Sequence, residues 1–247
     1  MKALLITLTS ILLLTACSDS DTSGGVTMEE QSGGEPDTKP FPDAKCPDGN
    51  TQYKCGWITS TDGGDKSYYI KTGADLSQAS LRNADLGTAN LRNADLSGTD
   101  LRNADLRNAS LRNANLRNAK LNDALLSYAN LRNAKLNDAA LTGADLGHAD
   151  LRYANLTGAW LAGINLRDVN LSGANLHYVT LRDANLGNAN LSNTDLSYAN
   201  LTDADLSGAY LHSANLTGAT LSNVTADTYT TCPNGLNRGT AGDDCGF

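Results

Sequence analysis

Leucine occupies every fifth position of the chain from Leu76 to Leu221, thirty times in succession and always in phase. The residue two positions before each leucine is small and nearly always alanine, as in Ala74 and Ala79. Five of these positions depart from alanine: Thr99, Ile164, Val169, Val179 and Thr194. The other positions of the unit are mostly Asp, Asn, Ser, Thr, Arg and Gly. The pattern therefore predicts one continuous repeat over residues 74–226.

A period of five residues fits neither an α-helix nor a flat β-strand. On an α-helix, five residues advance the chain by about 500°, so successive leucines would not form a stripe. On a flat strand, side chains alternate between two faces, so leucines five residues apart would alternate as well. The pattern instead predicts short extended segments with a turn after each, so that every leucine and its alanine point to one axis. The polar residues would then face water and form the corners.

The repeat resembles the A(D/N)LXX signature of the pentapeptide repeat family, as in the units Ala84-Asp85-Leu86 and Ala144-Asp145-Leu146. The resemblance covers about 150 of the 247 residues. It implies an all-β fold, a right-handed quadrilateral β-helix with four repeats per coil and about 7–8 coils. With about 4.8 Å between hydrogen-bonded strands, such a solenoid would be a rod about 36 Å long.

The first residues resemble the signal peptide of a bacterial lipoprotein. Met1 and Lys2 precede an apolar run over residues 3–14, which is too short to span a bilayer and typical of a signal peptide. The run ends in Leu14-Thr15-Ala16-Cys17, which is similar to a lipobox and implies cleavage before Cys17 and lipidation of that cysteine. Ser18 after the cysteine resembles an outer-membrane signal, so we expect the periplasmic face of the outer membrane or the cell surface. The alternative is an ordinary secretory signal with an incidental cysteine.

Composition divides the chain into five segments. Residues 1–16 are the expected signal peptide, and residues 17–45 are rich in Ser, Gly, Asp, Glu, Thr and Pro and form an expected flexible tether. Residues 46–73 are the most aromatic part of the mature chain, and we expect them to cap the first coil. The repeat follows over 74–226, and residues 227–247 form an expected C-terminal cap.

Four cysteines besides Cys17 flank the repeat in two pairs: Cys46, Cys55, Cys232 and Cys245. An even number of cysteines in an exported chain indicates two disulfides, with three possible connectivities. Closeness in sequence favours one bond at each end of the repeat, which would staple caps that are too small to hold themselves. A zinc site is the alternative, but no CxxC pair is present.

Residues 20 apart should lie above one another on the predicted rod, so its surface columns can be assigned by arithmetic. Arg92, Arg112, Arg132 and Arg152 fall in one column, and Tyr178 and Tyr198 fall in another. Trp160 should point outwards between two small residues, Ala140 and Thr180. These seven residues, four arginines and three aromatic residues, are the candidate partner-binding residues. The alternative is a solvated corner whose arginines reach to acids on neighbouring coils.

The sequence gives no indication of an enzyme. His148, His177 and His212 fall in three different columns, so they should not converge on a metal or a nucleophile. We therefore expect no catalytic residue, cofactor or metal. DNA mimicry of the kind known in the family, with gyrase as the target, would need about 21 negative charges over about 36 Å. Residues 74–226 instead hold 14 Asp against 12 Lys and Arg.

The sequence thus predicts a non-catalytic, rigid scaffold that a lipid anchors to a bacterial membrane and that binds an unidentified envelope protein. Neither a nucleic acid nor a small-molecule substrate is expected as a partner. The first alternative is a passive envelope or surface component with no specific partner. A DNA mimic that binds gyrase or topoisomerase is the less favoured one.

Overall fold

The computed structural model describes Gln52, residues 54–59, residues 67–235 and Cys245. Its main body is a β-helix built from single bridging residues rather than long strands. The residue before each leucine pairs in parallel with the residue 20 positions later, from Asp75 with Asp95 to Asp205 with Thr225. Four five-residue units therefore make one coil, and the coil has four sides.

Each corner of a coil is a β-turn of the same type. In the unit that starts at Leu81, the Ala84 N–H donates to the Leu81 carbonyl over 3.2 Å. The residue before that alanine, here Asn83, has a φ of 54°. A positive φ at the third residue is the mark of a type II turn. We call this position, two residues after each leucine, the turn tip.

The core is a stack of leucines closed by alanines. Every leucine at the repeated fifth position from Leu76 to Leu211 is at most 1% exposed, so the predicted inward column is confirmed. The larger inward residues Ile164, Val169 and Val179 are buried as well. Thr99 and Thr194 stand where an alanine usually does, and each hydroxyl donates to a leucine carbonyl of the preceding coil: Leu76 at 2.7 Å and Leu171 at 3.0 Å.

A β-hairpin lies against the first coil. Strands β1 (Gly56–Thr59) and β2 (Ser67–Ile70) are antiparallel, and Ile70 is fully buried on the core. Lys54, just before β1, pairs with Ala89 through the main chain and so joins the ladder of the β-helix. The Tyr68 hydroxyl accepts a hydrogen bond from the Ser80 N–H over 3.4 Å.

At the other end of the rod, the structure describes only residues 227–235 and Cys245 of the expected C-terminal cap. Thr231 pairs with Tyr210, so the segment after the last repeat continues one wall of the coil. Leu216 and Leu221 of the last coil are partly buried. Cys232 is buried beside this wall and forms a disulfide with Cys245.

Several sequence predictions lie outside the described residues. They concern the signal peptide over 1–16, the lipidation of Cys17 and the tether over 17–45. Cys55 is disulfide-bonded, but its expected partner Cys46 also lies outside the described part. Among the residues described, no helix has the length and apolar character needed to cross a membrane.

Candidate interaction surface

The four arginines of the predicted column follow one corner of the rod. Main-chain hydrogen bonds join successive coils beside them, such as the Asn113 N–H to the Arg132 carbonyl at 2.9 Å and the Asn133 N–H to the Arg152 carbonyl at 3.0 Å. At the turn tips of the same corner, the side-chain amide of Asn113 donates to Asn93 over 3.0 Å. The corner therefore carries a regular ladder of asparagines beside the guanidinium groups.

Whether an arginine forms an ion pair within its own coil depends on the residue two positions before it. Where Asp stands two residues before Arg, the two side chains of the same coil form a bidentate ion pair, as Arg102 with Asp100 and Arg107 with Asp105. These pairs correct the expectation that arginines reach mainly to acids on neighbouring coils. Arg182 does reach the next coil, where it lies 3.7 Å from Asp203.

The same rule separates Arg152 from the rest of its column. Its two N–H groups donate to the Asp150 carboxylate over 2.8 and 2.6 Å. These hydrogen bonds hold the pKa of the Asp150 carboxyl below its ordinary value, despite the opposing effect of burial. Asp150 is therefore ionised at neutral pH and cancels the charge of Arg152.

Arg92, Arg112 and Arg132 are not neutralised in this way. The residues two positions before them are Asn90, Ser110 and Asn130, which carry no charge. Within the described residues, none of the three arginines has a carboxylate within 4.0 Å. We refer to these three residues as the arginine stripe. It places one of these arginines on each of three successive coils, whose backbones are about 4.8 Å apart.

Aromatic residues line other corners of the later coils. Tyr178 and Tyr198 stack with their ring centroids 5.1 Å apart, as their 20-residue spacing predicts. His177 lies beside both rings, and its Nδ1 is 2.7 Å from the Ser197 hydroxyl. Trp160 is 63% exposed between Ala140 and Thr180 on the adjoining side of the rod.

Two further aromatic contacts were not predicted. Tyr128 stacks on His148 with 4.8 Å between centroids, and the Arg132 guanidinium lies 5.8 Å from the centre of the Tyr153 ring. The first pair could have been found from its 20-residue spacing. The second contact runs diagonally between two coils, so column arithmetic does not reveal it.

The histidines of the chain are distributed over the corners of the rod. His148, His177 and His212 lie at three different corners, as the sequence predicts. In the described ranges, no three His, Cys, Asp or Glu residues are grouped closely enough to hold a metal ion. The arginines and aromatic residues described above are instead available for contacts with another molecule along the outside of the rod.

Comparison with protein families finds the model for pentapeptide repeats, in 8 copies over residues 72–108, 109–147, 149–188 and 184–223. No protein in the curated set matches the chain. Among solved structures, the pentapeptide repeat protein Rfr23 from the cyanobacterium Cyanothece is 36% identical. The match covers 39% of this chain and 62% of Rfr23, less than two thirds of its length, with a TM-score of 0.28.

Two other solved structures are similar to this chain. HetL, a pentapeptide repeat protein involved in heterocyst differentiation regulation in the cyanobacterium Nostoc, is 33% identical over 68% of this chain and 86% of HetL, with a TM-score of 0.25. QnrB1, a plasmid-mediated fluoroquinolone resistance protein, is 19% identical over 63% of this chain and 80% of its own, with a TM-score of 0.40.

Proposed function

This chain belongs to the pentapeptide repeat family of right-handed β-helices, and we propose that it is a non-catalytic, rigid interaction scaffold of the bacterial envelope. In this proposal a lipid on Cys17 anchors the chain to a membrane, and residues 17–45 link the anchor to the rod. The rod presents its surface to an envelope protein that carries acidic groups.

The arginine stripe is the observation that carries this proposal. Guanidinium groups pair with carboxylates through two parallel hydrogen bonds, and the chain itself uses this geometry at Arg152 and Asp150. Each of the three arginines in the stripe lacks a carboxylate of the described residues to pair with. An acidic partner could supply the missing carboxylates, one for each coil that it crosses.

Exchanges at the position two residues before an arginine test the stripe without removing any arginine. Asn130→Asp should give Arg132 an internal carboxylate and weaken capture of the partner. Asp150→Asn should release Arg152, lengthen the stripe to four residues and strengthen capture. Thr180→Asp adds the same charge beside Arg182, outside the stripe, and should leave capture unchanged.

The measurement is chemical crosslinking in intact bacterial cells, followed by quantitative mass spectrometry of the captured proteins. Arg112→Glu should reduce recovery of the specific partner at least about tenfold, since it replaces a favourable contact with a repulsive one. Trp160→Ala tests the exposed aromatic residue in the same way. If no captured protein depends on Arg112, Asn130 or Asp150, the rod is a passive envelope component and the proposal is wrong.

The anchor is tested separately by metabolic labelling with a palmitate analogue. The native chain should incorporate the label, and Cys17→Ala should not. A native chain that reaches the envelope without label would contradict lipidation and leave the scaffold role to the crosslinking experiment.

A further inference from the structure

Side chains at the turn tips lean towards the next coil in the C-terminal direction. Asp138 shows this clearly, because its Oδ1 lies 2.6 Å from the point where a Cβ on Gly158 would be. The ring of Tyr198 comes equally close, at 2.7 Å, to the corresponding point on Gly218. A turn-tip side chain therefore occupies space beside the next coil in the C-terminal direction.

One column of turn tips lacks a side chain between an acid and an aromatic ring. Its successive residues are Asp138, Gly158, Tyr178 and Tyr198. Gly158 has no side chain to lean towards Tyr178, and only Asp138 atoms lie within 4 Å of its missing Cβ. Since adjacent coils are about 4.8 Å apart, the carboxylate and the Tyr178 ring are separated by about two layers, and no turn-tip side chain of this column occupies the layer between them. We call this space the Gly158 slot.

The walls of the slot have complementary chemistry. Asp138 is exposed and makes no side-chain hydrogen bond or ion pair within the described part of the chain, so no other described residue competes for its carboxylate. Tyr178 stacks on Tyr198 with one ring face, so its other face is turned towards the coil of Gly158, and the ring is 59% exposed. The His177 ring lies edge-on beside Tyr178, with 4.2 Å between the centroids. A carboxylate opposite an aromatic face favours a cation that is flat enough to stack.

We propose that the Gly158 slot binds the guanidinium group of an arginine from a partner protein. The planar group would stack on Tyr178 with one face, and the charge of the Asp138 carboxylate would attract it from the opposite side of the slot. The compact ammonium of lysine has no flat face for this stacking. The protein already places one guanidinium over an aromatic ring, at Arg132 and Tyr153, where the guanidinium carbon is 5.8 Å from the ring centre. Tyr153 also stands at a turn tip, with a φ of 60°.

The slot is separate from the arginine stripe and would bind a positive group, whereas the stripe would bind negative groups. The two lie at neighbouring corners, on either side of a wall that contains Asn115, Lys135 and Asn155. A partner that follows this wall could offer acidic groups to the stripe and an arginine to the slot. Loss of either site can be measured without the other.

The test is titration of the isotope-labelled full chain with the blocked peptide acetyl-Gly-Arg-Gly-amide, followed by NMR of the Gly158 and Tyr178 amides. The same peptide with citrulline in place of arginine keeps the shape but lacks the charge. The arginine peptide should shift both amide signals in a saturable way, and the citrulline peptide should bind about threefold to tenfold more weakly.

Three variants complete the test. Gly158→Asn fills the slot with a residue that already occupies turn tips such as Asn118, so the fold should persist while binding is lost. Asp138→Asn should weaken binding about threefold to tenfold. Gly163→Asn makes the same exchange at a turn tip of another corner, where nothing lies within 4 Å of the missing Cβ, and should bind like the native chain. Equal binding by Gly158→Asn and the native chain, or equal binding of the two peptides, would overturn the proposal.

Discussion

The turn tip is the position where single residues matter most in this fold. Every turn tip from Gly73 to Asn223 has a positive φ, and even bulky residues accept it, such as Tyr128 at 62° and Tyr178 at 56°. Left-handed backbone is easiest for glycine and is tolerated by asparagine and aspartate. The frequent Asn, Asp and Gly at this position follow from the backbone, while the tyrosines gain ring contacts such as that between Tyr178 and Tyr198.

A β-branched residue at a turn tip should therefore destabilise the rod. We expect Asn118→Val to lower the free energy of unfolding by about 1–2 kcal/mol, because its branched side chain clashes with left-handed backbone. Asn118→Gly should change it far less. Asn122→Val makes the same exchange at the second turn residue, where φ is not positive, and serves as the control. Thermal unfolding followed by circular dichroism measures all three, and equal midpoints for the two valine variants would contradict this account.

The coil is the element that repeats, and its stability comes from contacts with the coils above and below. Main-chain hydrogen bonds join successive coils through residues 19 or 21 positions apart, such as the Leu111 N–H to the Asn130 carbonyl at 2.7 Å. Stability of such a stack is close to a sum over neighbouring units. A central coil has two neighbours, whereas the last coil has one, so identical substitutions should differ in cost along the rod.

Leucine truncations should show this gradient. Leu146→Ala removes a fully buried side chain between two coils and should cost about 2–5 kcal/mol. Leu221→Ala removes a partly exposed side chain from the last coil, so its cost should be clearly smaller. Both changes delete the same atoms from the same position of the repeat. If thermal unfolding gave the same loss for both, the C-terminal end would be covered as well as the centre.

Much of the coil, but less of the surface, could be predicted from the sequence. The five-residue period predicts that Leu146 and Ala144 point inwards, because a chain that turns after every unit directs both side chains to one central axis. Arg152 is neutralised because the Asp150 side chain adopts a conformation that reaches it. The only sign of this ion pair in the sequence is the order Asp-Leu-Arg. The Gly158 slot depends on the direction in which turn-tip side chains lean, which the left-handed backbone sets and residue spacing does not.

At the scale of the whole molecule, the two ends of the rod differ. The β1–β2 hairpin buries Ile70 on the first coil, and Lys54 occupies a place in its main-chain ladder. No comparable contact covers Leu216 and Leu221 within the described residues of the C-terminal end. An uncovered end exposes leucines together with unpaired N–H and C=O groups, which favour pairing with another chain.

Removal of the hairpin should therefore make the rod associate more strongly than the native chain does. Deletion of residues 46–73 exposes the layer of Leu76 and the main chain of Asn90, to which Lys54 is bonded at 2.9 Å. Deletion of residues 18–45 removes the same length of chain, 28 residues, but leaves the hairpin in place. Light scattering after size-exclusion chromatography should show larger particles, growing with concentration, for the first deletion only. Because the two deletions differ in what they uncover and not in length, a stable monomer after loss of 46–73 would show that the first coil needs no cover.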